Sequence, residues 1–226
     1  MKRSKLILIQ MLAITLVQVF TVAAFAAGVW SGPGTTFQEW SFPNSDMQNV
    51  APDAATKSNP YGDPSAWIGS RASYNSGTWA LITDEMDFYI PNNPQPRVEK
   101  EMQIEVDWMA GSGQGWPHWP TQPLLSVYPL YADPSLVVFP DISILSQELI
   151  TSAAPLYKTV SVAPLYKTVF SVTMEPNPVS EWVILKGDIV VDHIAISTIC
   201  IPEPATLGLL IGGALMAIRR GRKIKD

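Results

Sequence analysis

The chain has a single cysteine, Cys200, and only two histidines, His118 and His193, among its 226 residues. One cysteine excludes an intrachain disulfide, so an exported domain of this size would rest on its core alone. No His/Cys cluster offers a transition-metal site. No serine-nucleophile motif accompanies the histidines, which leaves a hydrolytic triad without a basis. Cations are scarce through the middle of the chain. Of the 15 Lys and Arg residues, three stand in the first five positions and five in the last eight. The body, residues 27–200, keeps seven against 18 Asp and Glu, a net charge of −11. Such a body has no cationic footprint for nucleic acid or an anionic polymer. It suits neutral glycans, divalent cations or plain solubility.

What the chain does have is concentrated at its ends. Lys2, Arg3 and Lys5 precede an apolar stretch from Leu6 to Phe25, and Ala24 and Ala26 are small residues at the positions a signal peptidase reads. This is the pattern of a secretory signal peptide over residues 1–26, cleaved after Ala26 or Ala27. An uncleaved signal anchor is the alternative, and either places the body outside the cytoplasm. At the other end, Pro202-Glu203-Pro204 fixes an extended segment ahead of an uncharged apolar run, Ala205–Ile218. Arg219, Arg220, Arg222, Lys223 and Lys225 then form a basic tail, residues 219–226, that favours the cytoplasmic face of a membrane. Fourteen residues give about 21 Å of helix, short for a span. A core helix at the end of a soluble domain is the competing reading, but the flanking cations suit it poorly.

The tripartite end resembles the PEP-CTERM sorting signal of exported bacterial proteins. Pro202, Glu203, Pro204, Ala205, Thr206 and Leu207 follow that family's motif closely, and Gly221, which interrupts the basic run, departs from it. The resemblance covers about the last tenth of the chain. It implies processing by exosortase, a membrane protease, after a stage anchored in the inner membrane by a short helix over 205–218. It also implies a destination at the cell surface or in an extracellular polysaccharide matrix, since PEP-CTERM proteins are associated with exopolysaccharide and biofilm production.

Between the ends, residues 27–200 are long enough for one domain with its own core. Short β-rich runs separated by Pro, Gly, Asn and Asp predict strands at 35–42, 66–68, 78–82, 86–91, 98–109, 124–130, 136–139, 166–174, 181–186 and 189–198. Ile142–Thr151 reads as either a short helix or a strand. The clearest is 98–109, where Met102, Ile104, Val106 and Trp108 alternate with Gln103, Glu105 and Asp107. In 189–198 the same rule sets Ile189, Val191, His193, Ala195 and Ser197 against Val190, Asp192, Ile194, Ile196 and Thr198. Ala154–Val160 recurs as Ala163–Val169, a tandem shift of nine. An odd shift inverts the faces unless a turn or bulge absorbs it, so Ala163-Pro164 is expected to break the pairing. One copy should then form a core strand and the other a loop or an edge strand. The fold class this predicts is all-β, an antiparallel β-sandwich of jelly-roll type, with the signal helix and the transmembrane helix outside it.

Three function classes follow. The first is a structural or adhesive surface protein of an exopolysaccharide or biofilm, which rests on the resemblance. The second is a carbohydrate-binding module, with Trp116 and Trp119 on the Gly- and Pro-rich 110–123 segment as glycan contacts. Capping of the sandwich end is the alternative role for those two. The third, a glycoside-acting enzyme, has the least support. Glu105 and Asp107 lie about 7 Å apart along one strand face, within the range glycosidases use, but nothing else marks them, and no catalytic residue is assigned. His193 and Asp192 read as strand residues at a sheet rim rather than a catalytic dyad. Asp46, Asp53 and Asp63, or Asp84, Glu85 and Asp87, gather hard oxygen ligands that would suit Ca2+, without EF-hand spacing.

Overall fold

The computed structural model describes residues 34–82, 84–93, 99–111, 121–156 and 161–201, with side chains of 151–162 left aside. The described chain is all-β, and among these residues no helix is long and apolar enough to cross a membrane. Eleven strands follow in order: β1 (Thr35–Trp40), β2 (Ser65–Ile68), β3 (Ser73–Asn75), β4 (Thr78–Ala80), β5 (Glu85–Pro91), β6 (Glu99–Ala110), β7 (Leu124–Leu130), β8 (Asp141–Leu156), β9 (Ser161–Met174), β10 (Ser180–Lys186) and β11 (Ile189–Ile201). They pair antiparallel into two sheets. The larger has the order β3-β4-β11-β6-β9-β8, with β1 also on β11, and the smaller is β2-β5-β10-β7.

One apolar core lies between the sheets. Met102, Ile104, Val106 and Trp108 of β6 meet Phe88 and Ile90 of β5 and Val183 and Leu185 of β10. The period-two pattern of β6 is the cause: its apolar set faces inward and Gln103, Glu105 and Asp107 face outward. Trp40 packs edge-on against Phe88, ring centroids 5.0 Å apart. Each such side chain, wholly withdrawn from water, contributes about 1.5–3 kcal/mol.

Several expectations change. β1 stops at Trp40, because Phe42 takes a left-handed backbone (φ 49°) that ends the strand. β4 stops at Ala80. No strand forms over Leu136–Phe139: Pro134 and Pro140 bracket the segment, and Val137 and Phe139 are largely exposed. Ile142–Thr151 is strand, part of β8, and not helix. In β11 the pairing to β6 shifts between Val191 and His193, leaving Asp192 as the extra residue of a bulge. The bulge inverts the alternation beyond it, so Ile189 and Val191 share the core with Ile194 and Ile196. The expected division of that strand into two fixed faces is therefore wrong.

The described part of the first repeat copy, 154–156, lies in β8, and the second copy, 163–169, lies in β9. Ala154 and Ala163, the first residues of the two copies, are register partners. The second copy enters β9 between β6 and β8, and the described part of the first lies on the edge strand β8. β9 runs through Ala163-Pro164 without ending, so no loop forms there. The interruption is in the pairing: β6 reaches only to Leu165, and β8 is offset between Thr151 and Ala154.

Candidate functional site

Aromatic residues collect on the outer face of the smaller sheet. In β5, β10 and β7 the core takes Phe88, Val183 and Val127, which turns their neighbours Tyr89, Trp182 and Tyr128 to the opposite side. Register then aligns them. Trp182 lies directly opposite Tyr89 on one side and Tyr128 on the other. Trp67 of β2 joins the row, its ring centroid 5.0 Å from that of Trp182, and the Tyr89 ring is 5.4 Å from that of Trp182. Tyr128 is 55% exposed, and the other three are half-buried. The result is a shallow aromatic platform about 14 Å across four strands.

Polar groups flank it. Asp87 is the register partner of Trp67, and its Oδ1 is buried without a hydrogen-bond partner. Burial, then the neighbouring Glu85 charge, raises the Asp87 pKa above the usual carboxylate range. Glu85 is held by Lys186, 2.5 Å away. Beside Tyr128, a groove of about 360 Å³ is lined by Leu130, Val137 and Phe139 among others. Flat aromatic faces next to acceptor oxygens can stack on the C–H face of a sugar and bind its hydroxyls. Trp116 and Trp119, the glycan contacts expected from sequence, lie outside the described residues. No single strand announces the aromatic row, although Trp67 and Tyr89 each sit between core residues in their own strands. Its convergence depends on cross-strand register, which no single segment displays.

A second polar assembly closes one end of the molecule. β1 pairs with β11 from Thr35↔Ile199 to Trp40↔Ile194, and the Cys200 amide donates to the Gly34 carbonyl at 3.1 Å. The described chain thus begins and ends side by side at one pole. Cys200 is buried there, its thiol donating to Asn92 Oδ1 at 3.3 Å. Asn92 Nδ2 in turn donates to Asn177 Oδ1 (2.6 Å) and the Pro178 carbonyl (2.8 Å). Beside Cys200, its register partner Lys100 reaches across the core to Glu181 at 2.5 Å, and both side chains are wholly buried. Glu181 Oε2 and the nearby Tyr131 hydroxyl have no hydrogen-bond partner. Burial raises the Glu181 pKa, and burial with the Glu181 charge raises that of Tyr131.

The outer face of the larger sheet carries the acidic residues considered for catalysis. Glu105 and Asp107 both face Lys167, at 2.9 and 3.8 Å. His193 bridges Glu39 (2.5 Å) and Asp107 (3.7 Å), while Asp192 occupies the bulge. This is a ladder of alternating charge across strands, with burial raising the Asp107 and Asp192 pKa values. Among the described residues no three metal-ligating side chains converge. Of the calcium candidates, Asp84 accepts the amides of Arg71 (2.5 Å) and Glu85 (3.0 Å), Asp53 accepts that of Ser41 (3.1 Å), and Asp63 is engaged by Lys57. Pro202, Glu203, Pro204, Ala205 and Thr206, expected to form a sorting signal, the basic tail, and Ala24 and Ala26 lie outside the described residues.

No family model matches the chain. No curated protein matches it either.

Proposed function

We propose that the protein is an exported surface or matrix protein, sorted through its tail by an exosortase-type protease and structural or adhesive in an extracellular polysaccharide. The observation that carries this is the pole at Gly34 and Cys200. A signal segment before residue 34 and a sorting tail after residue 201 would both leave from that one end. The body would then hang from the membrane by a single pole. The strand order supports a jelly-roll relationship: β5, β6 and β7 alternate between the sheets, as do β9, β10 and β11, and the first and last strands pair. β8 departs from that pattern by joining the larger sheet. The test is the intact mass of the protein recovered from the envelope. A mature chain beginning near Ala27 and ending near Pro202–Pro204 supports the reading, and one that keeps Asp226 refutes it.

A second reading, carbohydrate binding, is favoured by the platform of Trp67, Tyr89, Tyr128 and Trp182. Neutral glycans titrated against tryptophan fluorescence should bind saturably, and W182A should abolish the response. Binding unchanged in W182A refutes this placement of the site.

A further inference from the structure

Among the described residues, the sheet edges are guarded except at β8. In the larger sheet, β3 is only three residues long, and β1 is bridged on its outer side by Ser58, whose amide donates to the Phe37 carbonyl at 2.7 Å. In the smaller sheet, β2 is covered by Met47 and Val50, which bond the backbone of Ile68 and Ala66. β7 has Pro129, which has no amide to offer, one residue from its end. β8 is 16 residues long, ends the sheet among the described residues, and has no Lys, Arg or Pro between Asp141 and Ala154. Among the described residues its protection is limited to its bulges and the single mid-strand charge of Glu148. It also exposes aliphatic side chains: Ile144 at 54%, Leu145 at 58%, Leu149 at 52% and Ile150 at 45%.

Those four residues are placed symmetrically. Reading outward from Gln147, Ser146 answers Glu148, Leu145 answers Leu149, and Ile144 answers Ile150. Turned end for end, the strand presents the same apolar pairs at the same distances from the centre. A second copy laid antiparallel along β8 therefore puts Ile144/Leu145 of each chain on Leu149/Ile150 of the other. A slide of one residue still leaves one aliphatic contact of each pair, Leu145 on Ile150 or Ile144 on Leu149. The charges permit it as well, since Glu148 falls opposite Ser146 and never opposite itself. A two-fold contact must be self-complementary in this way.

We propose that two copies of this protein pair edge to edge through β8, on a two-fold axis at Gln147, joining their larger sheets into one continuous sheet. The backbone of each edge supplies the hydrogen bonds, and the paired aliphatic clusters supply the register. This rests on the described fold alone and is independent of the export and glycan readings.

The test uses the full chain, extracted from the producing cells in mild detergent so that orientation is unconstrained. In Q147C the two introduced thiols face each other across the axis, within the 4.4–6.8 Å Cα separation, approximately, that a disulfide spans. Copper-phenanthroline oxidation should give a covalent dimer of Q147C, and little from the parent chain or from N75C on the exposed β3 edge. Adding L145K/L149K, at positions the fold leaves exposed, sets like charges opposite and should cut the yield about tenfold. Replacing that pair with L145K/L149E sets opposite charges across the axis and should restore it. A Q147C yield no higher than that of N75C, or a yield indifferent to both charge variants, overturns the proposal.

Discussion

Replacing Lys100 by Met removes one member of an ion pair that water does not reach. Lys100 Nζ and Glu181 Oε1 are 2.5 Å apart, with both side chains at 0% exposure. At an effective dielectric of about 20 the attraction at that distance is about 7 kcal/mol. Desolvating each ion costs several kcal/mol, so the pair nets close to zero and does not dominate stability. Deleting one partner is a different matter, because the remaining charge stays buried. K100M should therefore destabilise by about 3–5 kcal/mol, and E181L by a similar amount. The K100M/E181L double variant fills the same space with apolar groups and should lie within about 1 kcal/mol of the parent or above it. Urea unfolding followed by tryptophan fluorescence measures all four chains, with m-values checked for constancy. A double variant as unstable as the sum of the singles would show that the pair is not coupled. A K100M cost below about 1 kcal/mol would show that Glu181 escapes its charge by protonation.

Other outcomes follow from the same structure. Burial raises the pKa values of Asp107, Asp192 and Glu181, so the folded chain binds more protons than the unfolded one above the usual carboxylate range. Unfolding free energy should then fall as pH rises from about 4 through the raised values, and D192N should flatten that decline in Tm measured across pH. Cys200, buried under Asn92, should resist thiol reagents in native protein and react fully in denaturant, measured by mass. Rapid native labelling would contradict the packing of the pole. Gly187 has φ 147° and a Cβ added there would sit 2.7 Å from the Gln122 carbonyl oxygen. G187A should accordingly lose at least about 1 kcal/mol in urea unfolding, and a neutral result would refute the turn geometry.

Legibility in the sequence followed the range of the forces involved. β6 was readable because one strand buries one face, and period two records that directly. The same rule failed in β11, where one extra residue at Asp192 reverses the faces and no local residue type announces it. Lys100 holds an inward position by the parity of Met102 and Ile104, so its burial was available from the alternation. Its partner Glu181 lies 81 residues away on the other sheet, and nothing local pairs them. The aromatic platform is hidden for the same reason. Tyr89, Tyr128 and Trp182 become neighbours only once β5, β10 and β7 are set side by side. β8 was ambiguous between helix and strand because its apolar pairs, Ile144/Leu145 and Leu149/Ile150, recur at near-helical spacing. The symmetry proposed for its edge offers a reason for that spacing.

The proposed edge contact and the proposed sorting tail constrain each other. The pole that holds Gly34 and Cys200 also holds Asp141, because Ile201 pairs near the start of β6, Lys100 with Met174, and Thr173 with Asp141. Gln147 lies six residues along β8 from Asp141, about 20 Å at strand rise. An antiparallel contact centred there sends the two poles to opposite ends, about 40 Å apart along the strands. Two copies held upright by their tails in one membrane would have both poles at its surface and could not pair. Release of the tails removes that restraint, so processing would act as the step that licenses assembly. In intact cells carrying Q147C, covalent dimers should form from tail-less chains and not from tail-bearing precursors. Substituting Pro202-Glu203-Pro204 to block processing should abolish the cellular dimer while the detergent-extracted chain still forms it. Dimers of tail-bearing chains still in the membrane would refute this ordering.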